Sequence, residues 1–571
     1  MGSTNRRTHP TGVNGSARDA RAALARAWDE LRAGDGAAAE RRCREILTHH
    51  PRNGEALHLL GVKAQSERRH LEAAELFLEA AAAAPENPKF RHHLGVALRA
   101  LGRIEESVEC FRIAAQLAPD WPDAQVALGN SLKALGRHEE AVEAHRTALA
   151  LSPYSAEIWS DLALAYKAWG RHGESILCLE RAMAIAPGCA EIRYNLGNTL
   201  LAADRFEEAE RSYRDALGLT PEHIGALVNL GIALKEQGRL GAAAVLFRRA
   251  IELRPDHADA HWNLGLALLM AGTFDRGWEA YEWRRRIPRF PVRRLDGPEW
   301  DGAIRSGLRL LFHSEQGLGD TIQFVRYAKP LAEAGVRVSL LCPRRLARLL
   351  GTSAGVEAVV PDDRTAPPAD AQLPLMSAPL RHGATIGPMP SPAPYLSAES
   401  ELVNRWRARL DEGQRTLKVG IAWQGNPAYQ ADRRRSIPLA KFAPLARLAG
   451  VRLYGLQVGP GREQLAAAGD TGWFVDLGSE LDRGPDAFID TAAVMASLDL
   501  VVSSDTAVPH LAGALGREVW LLLPRVPDWR WGLSGESTPW YPTMRLFRQS
   551  RAGDWDGVFA EVADALGRRA A

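Results

Sequence analysis

Along the first half of the chain, small and apolar residues return on a fixed period. Pro51, Pro85, Pro119, Pro153, Pro187, Pro221 and Pro255 stand 34 residues apart without a slip. Ten residues after each comes a small residue (Gly61, Gly95, Gly129, Ala163, Gly197, Gly231, Gly265), and five residues before most of them an alanine (Ala80, Ala114, Ala148, Ala182, Ala216, Ala250). A turn residue repeats at Gly102, Gly136, Gly170, Gly238 and Gly272, with Asp204 standing in once. Leu94, Leu128, Leu162, Leu196, Leu230 and Leu264 fill the seam between the small residues. The pattern predicts units of helix, tight turn and second helix, each stopped by proline. A helix pair cannot bury its apolar face alone, so the units must stack into a superhelix. The array covers residues 20–287 as seven full units and a divergent eighth, Asp256 to Arg286, which acquires Trp278, Tyr281 and Trp283. Those aromatics suit a unit docking onto a neighbouring domain. Residues 1–19 are polar and read as a tail.

After Pro288 the period ends. A basic, proline-bearing connector (288–306) leads into short apolar runs that alternate with helical stretches. Leu308–His313, Val336–Leu341 and Glu357–Val360 read as strands of a small lobe, 307–400, closed by a proline- and alanine-rich loop at 364–395. Leu417–Trp423, Val451–Gln457, Leu500–Ser503, Val519–Leu523 and Arg545–Phe547 read as strands of a second lobe, 401–571. Strands alternating with helices imply parallel sheets. The expected fold class is an α-solenoid followed by two Rossmann-like α/β lobes.

At 571 residues the chain holds several domains, and its 46% hydrophobic and 25% charged content is that of a globular protein. A formal charge of +2 argues against nucleic acid as the main partner. No apolar run is long enough for a transmembrane helix, and the polar N-terminus lacks a secretory signal. Cys43, Cys110, Cys178, Cys189 and Cys342 show neither metal spacing nor a disulfide framework. The expected compartment is the cytoplasm, with no metal and no cofactor.

Three segments carry candidate chemistry at strand ends, where ligands bind in open α/β sheets. The first is Gln316-Gly317-Leu318-Gly319-Asp320-Thr321, after the first strand of the first lobe. Its glycines permit close backbone approach. Asp320 is either an N-cap of a helix Ile322–Ala334 or a carboxylate able to take a proton from an acceptor hydroxyl. The second is Gln424-Gly425-Asn426, followed by Arg433, Arg434, Arg435 and Ser436. Arginine forks suit a diphosphate, whereas Arg433 and Arg434 read as a solvated basic pair. The third runs from Asp505 through Thr506 and Ala507 to His510. A strand stops there, a helix N-terminus begins, and Gly516 ends the helix with a left-handed cap. Asn195, Asn229 and Asn263 occupy one position in three successive repeats, as a ladder for peptide backbone or as plain polar helix positions.

The first half resembles the tetratricopeptide repeat (TPR), whose arrays bind a peptide or protein on the concave face. Asparagine ladders similar to Asn195, Asn229 and Asn263 hold substrate backbone in the repeats of O-GlcNAc transferases. The second half resembles GT-B glycosyltransferases, and within them the family 9 heptosyltransferases. That resemblance spans roughly 307–560. It implies Asp320 as catalytic base, Arg435 in place of a phosphate-binding lysine, and Asp505, Thr506 and His510 as the last donor motif. Ile437 in place of Trp and Ala507 in place of Gly depart from the pattern, which leaves a nucleotide diphosphate sugar implied and ADP-heptose open. The whole is similar to bacterial proteins that join TPRs to a GT-B domain, some of which glycosylate flagellin. The implied function is inverting, metal-independent transfer of a sugar to a protein presented by the repeats, with flagellin a candidate. A lipopolysaccharide-core transferase and a non-catalytic repeat scaffold are the alternatives. Asp554-Trp555-Asp556 reads as a helix cap rather than a metal motif. The aromatic loop Trp529, Trp531, Trp540, Tyr541 either stacks on a base or sugar or packs internally.

Overall fold

The computed structural model describes residues 13–570 except 291, 292, 294, 383–392, 412–415 and 468–471. The chain divides into two compact units, Met1–Asn229 and Leu230–Ala571. The first is tandem helix pairs, among them Pro88–Ala100 with Ile104–Leu117 and Ala190–Ala202 with Phe206–Leu219. Its first helix begins at Val13. The helix thus begins within the stretch 1–19 read as a tail; residues 1–12 lie outside the described residues.

Turns between paired helices take a left-handed residue. Gly102, Gly136 and Gly170 have φ of +77°, +74° and +78°, and Asp204, the stand-in, reaches +57°. A second regularity couples the two helices of each unit. A Cβ on Gly61 would come within 2.6 Å of Phe77, on Gly95 within 2.8 Å of Phe111, and on Gly129 within 2.6 Å of His145. Gly197 faces Tyr213 and, in the second unit, Gly231 faces Phe247, each at 2.5 Å. A flat ring laid on the opposing backbone leaves no room for a methyl group. In the fifth repeat the ring position holds Leu179, and there the small residue is Ala163. In these five units the ring makes glycine obligatory, whereas Gly265 in the terminal repeat is crowded by the backbone of Ala280 and Tyr281, 2.7 Å from Tyr281 N.

The second unit opens with the last helix pairs, Ala258–Met270 packing on Phe274–Tyr281, and continues into two parallel sheets. The first has the order β3-β2-β1-β4: β1 is Arg309–His313, β2 Arg337–Cys342, β3 Val356–Pro361 and β4 Ala371–Pro374. The second has the order β10-β9-β8-β5-β6-β7: β5 is Leu417–Ala422, β6 Val451–Gly455, β7 Val475–Asp476, β8 Leu500–Ser504, β9 Val519–Leu523 and β10 Met544–Arg548. Two strands were absent from the sequence reading. β4 lies in the supposed loop 364–395, and β7 is two residues long; pairing to β1 and to β6 defines them, not their composition.

The helix expected over Ile322–Ala334 is broken. Helix Leu318–Phe324 gives way to a 3-10 turn, Val325–Tyr327, before helix Ala328–Glu333. Pro330 lacks an N–H and clashes with the carbonyl four residues back, so the turn before it tightens. The connector is strapped to the first sheet: Trp300 is buried, its N–H donates to Gln372 O at 2.9 Å, and Gln372 N–H donates to Pro298 O at 3.0 Å. Trp278 and Tyr281 enter one core with Phe324, Trp529 and Trp540, so the terminal repeat is part of the α/β core. Trp278 meets Phe324 and Trp529 edge-on at 5.9 and 5.2 Å.

Gly95→Ala should lower stability by about 1–3 kcal/mol through overpacking against Phe111. Adding Phe111→Leu to Gly95→Ala should recover most of the loss in melting curves, whereas an additive double variant would refute the coupling.

Candidate functional site

β1 ends at His313, and residues 314–317 form the loop into helix Leu318–Phe324. Repeat residues hold this loop. Gln316 shares hydrogen bonds with the Tyr281 hydroxyl at 3.0 and 3.2 Å, and Glu315 accepts from Arg284 at 2.5 Å. Arg284 is 1% exposed and also meets Glu282 and Ser377. Burial pushes the Glu315 carboxyl up, and Arg284 opposes it. Thr321 is buried, its hydroxyl donating to Gly317 O.

Asp320 is not the N-cap. Gly317 takes that position, and the Asp320 carboxylate, in the first turn, accepts its N–H at 2.8 Å. The Asp320 side chain is 22% exposed and ion-paired with Arg530. Burial pushes its carboxyl above the ordinary aspartate value, Arg530 opposing and Asp528 adding to the rise. Gly319 lies under the second lobe: a Cβ there would sit 3.1 Å from His510 Cδ2 and 3.4 Å from Ala507 Cα. The first and third segments therefore meet face to face.

In the third segment β8 ends at Ser504, and helix Ala507–Ala514 follows with Thr506 as N-cap, its Oγ accepting from Val508 N at 3.3 Å. Gly516 takes φ +69°. Pro509 has no N–H and that of Val508 is committed, so the first turn offers an anion fewer donors than the sequence promises. Asp505 is 5% exposed. Burial and the charge of Asp528 push its carboxyl up to about 6, against Arg435, the Trp531 indole and Arg530. His510 is buried, its Nδ1 3.0 Å from the Tyr541 hydroxyl and its ring stacked on Trp531 at 5.4 Å.

The second segment turns inward more than its sequence suggests. Gln424 N–H donates to Gln457 Oε1 at 3.1 Å, and Gln424 Oε1 accepts from Gln464 at 2.8 Å. Asn426 Oδ1 accepts from Ala428 N at 3.0 Å, a local turn. Arg435 Nε and Ser436 Oγ both donate to buried Asp432, at 3.0 and 2.9 Å. Gly425 is required there, since its Cβ would lie 2.3 Å from Asp432 Oδ1. Arg434, read as solvated, is ion-paired with Glu236 from a repeat helix. Burial alone would raise the Glu236 carboxyl, yet Lys235 and Arg434 hold it at about 2.

The asparagine ladder also has internal partners. Asn229 Nδ2 donates to Asn198 Oδ1 at 2.7 Å, Asn195 reaches Ser160 Oγ at 3.5 Å, and Asn263 donates to Asp259 O of its own helix at 2.9 Å. Asn195 and Asn263 are buried, which corrects the picture of three amides held out to a peptide. Trp529, Trp531, Trp540 and Tyr541 are buried as well, so the aromatic loop packs internally and opens no face to a base or sugar.

Comparison with known proteins bears on the repeats. Tetratricopeptide repeat models match residues 15–88, 88–120, 123–188 and 160–224, and a TPR repeat model matches 233–272. The N-terminal region is a TPR array. Protein FlbA of Caulobacter vibrioides is 31% identical over 332 residues, 52% of this chain and 53% of that protein, so the chain spans about half the length of that relative. Among solved structures, a tetratricopeptide repeat protein from Parabacteroides merdae is 16% identical, with a TM-score of 0.38 over 44% of this chain and 99% of that one. MamA from Desulfovibrio magneticus is 19% identical, with a TM-score of 0.28 over 30% and 96%.

Arg530 is the residue that sequence reasoning missed. It is buried, donates to Asp528 at 2.8 Å, pairs with Asp320 and Gln323, and lies 4.4 Å over Trp529. Its signal was present in Asp528-Trp529-Arg530-Trp531, where two opposite charges sit inside an apolar loop and so demand internal partners.

The Asp505 carboxyl binds its proton more tightly folded than unfolded, so its cost is absent below about pH 4 and complete above about pH 6. Asp505→Asn should therefore stabilise the protein at pH 7 by on the order of 3 kcal/mol, the gain fading as pH falls to 4. Chemical denaturation at both pH values checks this; an unchanged gain would refute the burial of charge.

Proposed function

We propose that the chain is an inverting, metal-independent GT-B glycosyltransferase that moves a sugar from a nucleotide sugar to a protein acceptor presented by its repeats. The observation that carries the reading is the apposition of the Gly317–Asp320 loop with the Ala507–His510 turn across Gly319. It sets the segment that carries Asp320 beside the helix start of the other lobe. Asp320 is suited to general-base work: burial raises its proton affinity toward the working pH, while Arg530 keeps it ionised. Arg435, 22% exposed, supplies positive charge for a departing phosphate near the helix start at Ala507. The 31% identity to Protein FlbA adds nothing about the substrate; flagellin as acceptor and the cytoplasm as compartment belong to this proposal alone. One observation favours a second reading, a non-catalytic scaffold: Gln424, Asn426 and Arg435 already have partners within the protein.

Asp320→Asn separates the two. The variant should melt lower, since Arg530 keeps only Asp528 as a carboxylate partner. Single-turnover sugar transfer at saturating donor should fall about 10²–10⁴-fold, the usual contribution of a general base. A folded variant with wild-type transfer would remove Asp320 as the base. A wild-type protein that neither transfers nor hydrolyses any nucleotide sugar would establish the scaffold.

A further inference from the structure

Behind the helix Ala507–Ala514, four buried side chains from distant parts of the chain form one line. Arg326 donates through Nη2 to the Tyr395 hydroxyl at 2.9 Å; Tyr395 and Tyr541 hydroxyls lie 3.4 Å apart; Tyr541 lies 3.0 Å from His510 Nδ1. The line has a direction. A guanidinium can only donate, so the Tyr395 oxygen is an acceptor toward Arg326. Tyr395 is 2% exposed, and among the described residues the other group in reach of its proton is the Tyr541 oxygen. Tyr541, accepting from Tyr395, spends its own proton on His510 Nδ1.

We infer that Arg326, Tyr395 and Tyr541 lock His510 as the neutral Nε2–H tautomer, a hydrogen-bond donor aimed at the Gly317–Gly319 loop for an oxygen of a bound ligand. The Nε2–Cδ2 edge of the ring is the one that faces Gly319, 3.1 Å from its Cβ position. The ring is 6% exposed, and Nε2 takes no partner among the described residues, so a polar group is built into the site and left open. The charges around it all oppose a second proton. Burial acts first, then the cations Arg530 of the aromatic loop, Arg326 behind the helix and Arg435 of the second segment; together they keep the imidazole well below its ordinary proton affinity. A positively charged histidine, as a simple phosphate counter-ion would be, is opposed by burial and by these three cations. A neutral donor instead fits an oxygen that gains charge as a bond breaks, since it requires no prior charge on the ligand. That role rests on the proposed transferase activity; the tautomer does not. Arg326, Tyr395 and Tyr541 are positioning residues, acting through His510.

The test is nitrogen NMR of the full-length, ligand-free protein carrying ¹⁵N-histidine, with His510→Gln to identify the signals. The wild type should show the Nε2–H tautomer, unchanged across about pH 5–8, where an ordinary histidine titrates. Tyr541→Phe should abolish the preference, and Tyr395→Phe, which leaves Tyr541 in place, should reduce it. An Nδ1–H tautomer, a midpoint within that range, or a Tyr395→Phe spectrum identical to wild type would overturn the proposal. Uridine diphosphate, added afterwards, should move the His510 Nε2 signal. No movement with the tautomer intact would overturn the ligand-binding role alone and leave the relay standing. Sugar transfer by the wild type is scored separately, so loss of the enzyme reading is distinguishable from loss of this one.

Discussion

A guanidinium cannot shed its proton within any pH a protein survives, so each arginine taken out of water must bring partners with it. Among the described residues of its second unit, this chain buries three. Arg284 draws together Glu282, Glu315 and Ser377; Arg326 draws Tyr395 and the Trp540 carbonyl; Arg530 draws Asp320, Gln323 and Asp528. In each case the partners come from segments far apart in sequence, and most of them border the site. Removing one partner would leave charge stranded in the core, so these clusters tie the lobes and the last repeat together more specifically than apolar contact does.

The same constraint explains how the repeats reach the site. Tyr281 and Arg284 hold the first loop, and Glu236 holds the second through Arg434. The terminal repeats are therefore structural members of the α/β region, which is why the compact units divide at Asn229 rather than near Pro288.

The repeat period, the eight strands that form the body of both sheets and the strand–turn–helix at Ser504–Ala507 were legible because each rests on local pattern. β4 and β7 were not, since strands of four and two residues exist only through their neighbours. Within the site, Asp320, Asp505 and His510 stood out by residue type and place. Their partners did not: Arg530 and Tyr541 sit in a loop whose aromatics drew the reading toward stacking, and Arg326 lies in a stretch that reads as an ordinary helix. The asparagines misled for a related reason. A polar side chain repeated every 34 residues looks the same whether it faces a ligand or the protein's own groups, and the internal partners in the structure tell the two apart.

The ring-on-glycine seam joins two positions that lie in different helices of one repeat and never in different repeats. Inheritance of the array follows from that. Duplication or loss of a whole unit carries both members along and leaves every seam matched. A crossover between the two helices of a unit would set Phe111 against an alanine, or Leu179 against a glycine, leaving a clash in one product and a void in the other. The array is thus free to change length in steps of one repeat, while a breakpoint inside a unit is penalised where the Ala163–Leu179 unit is one of the two parents.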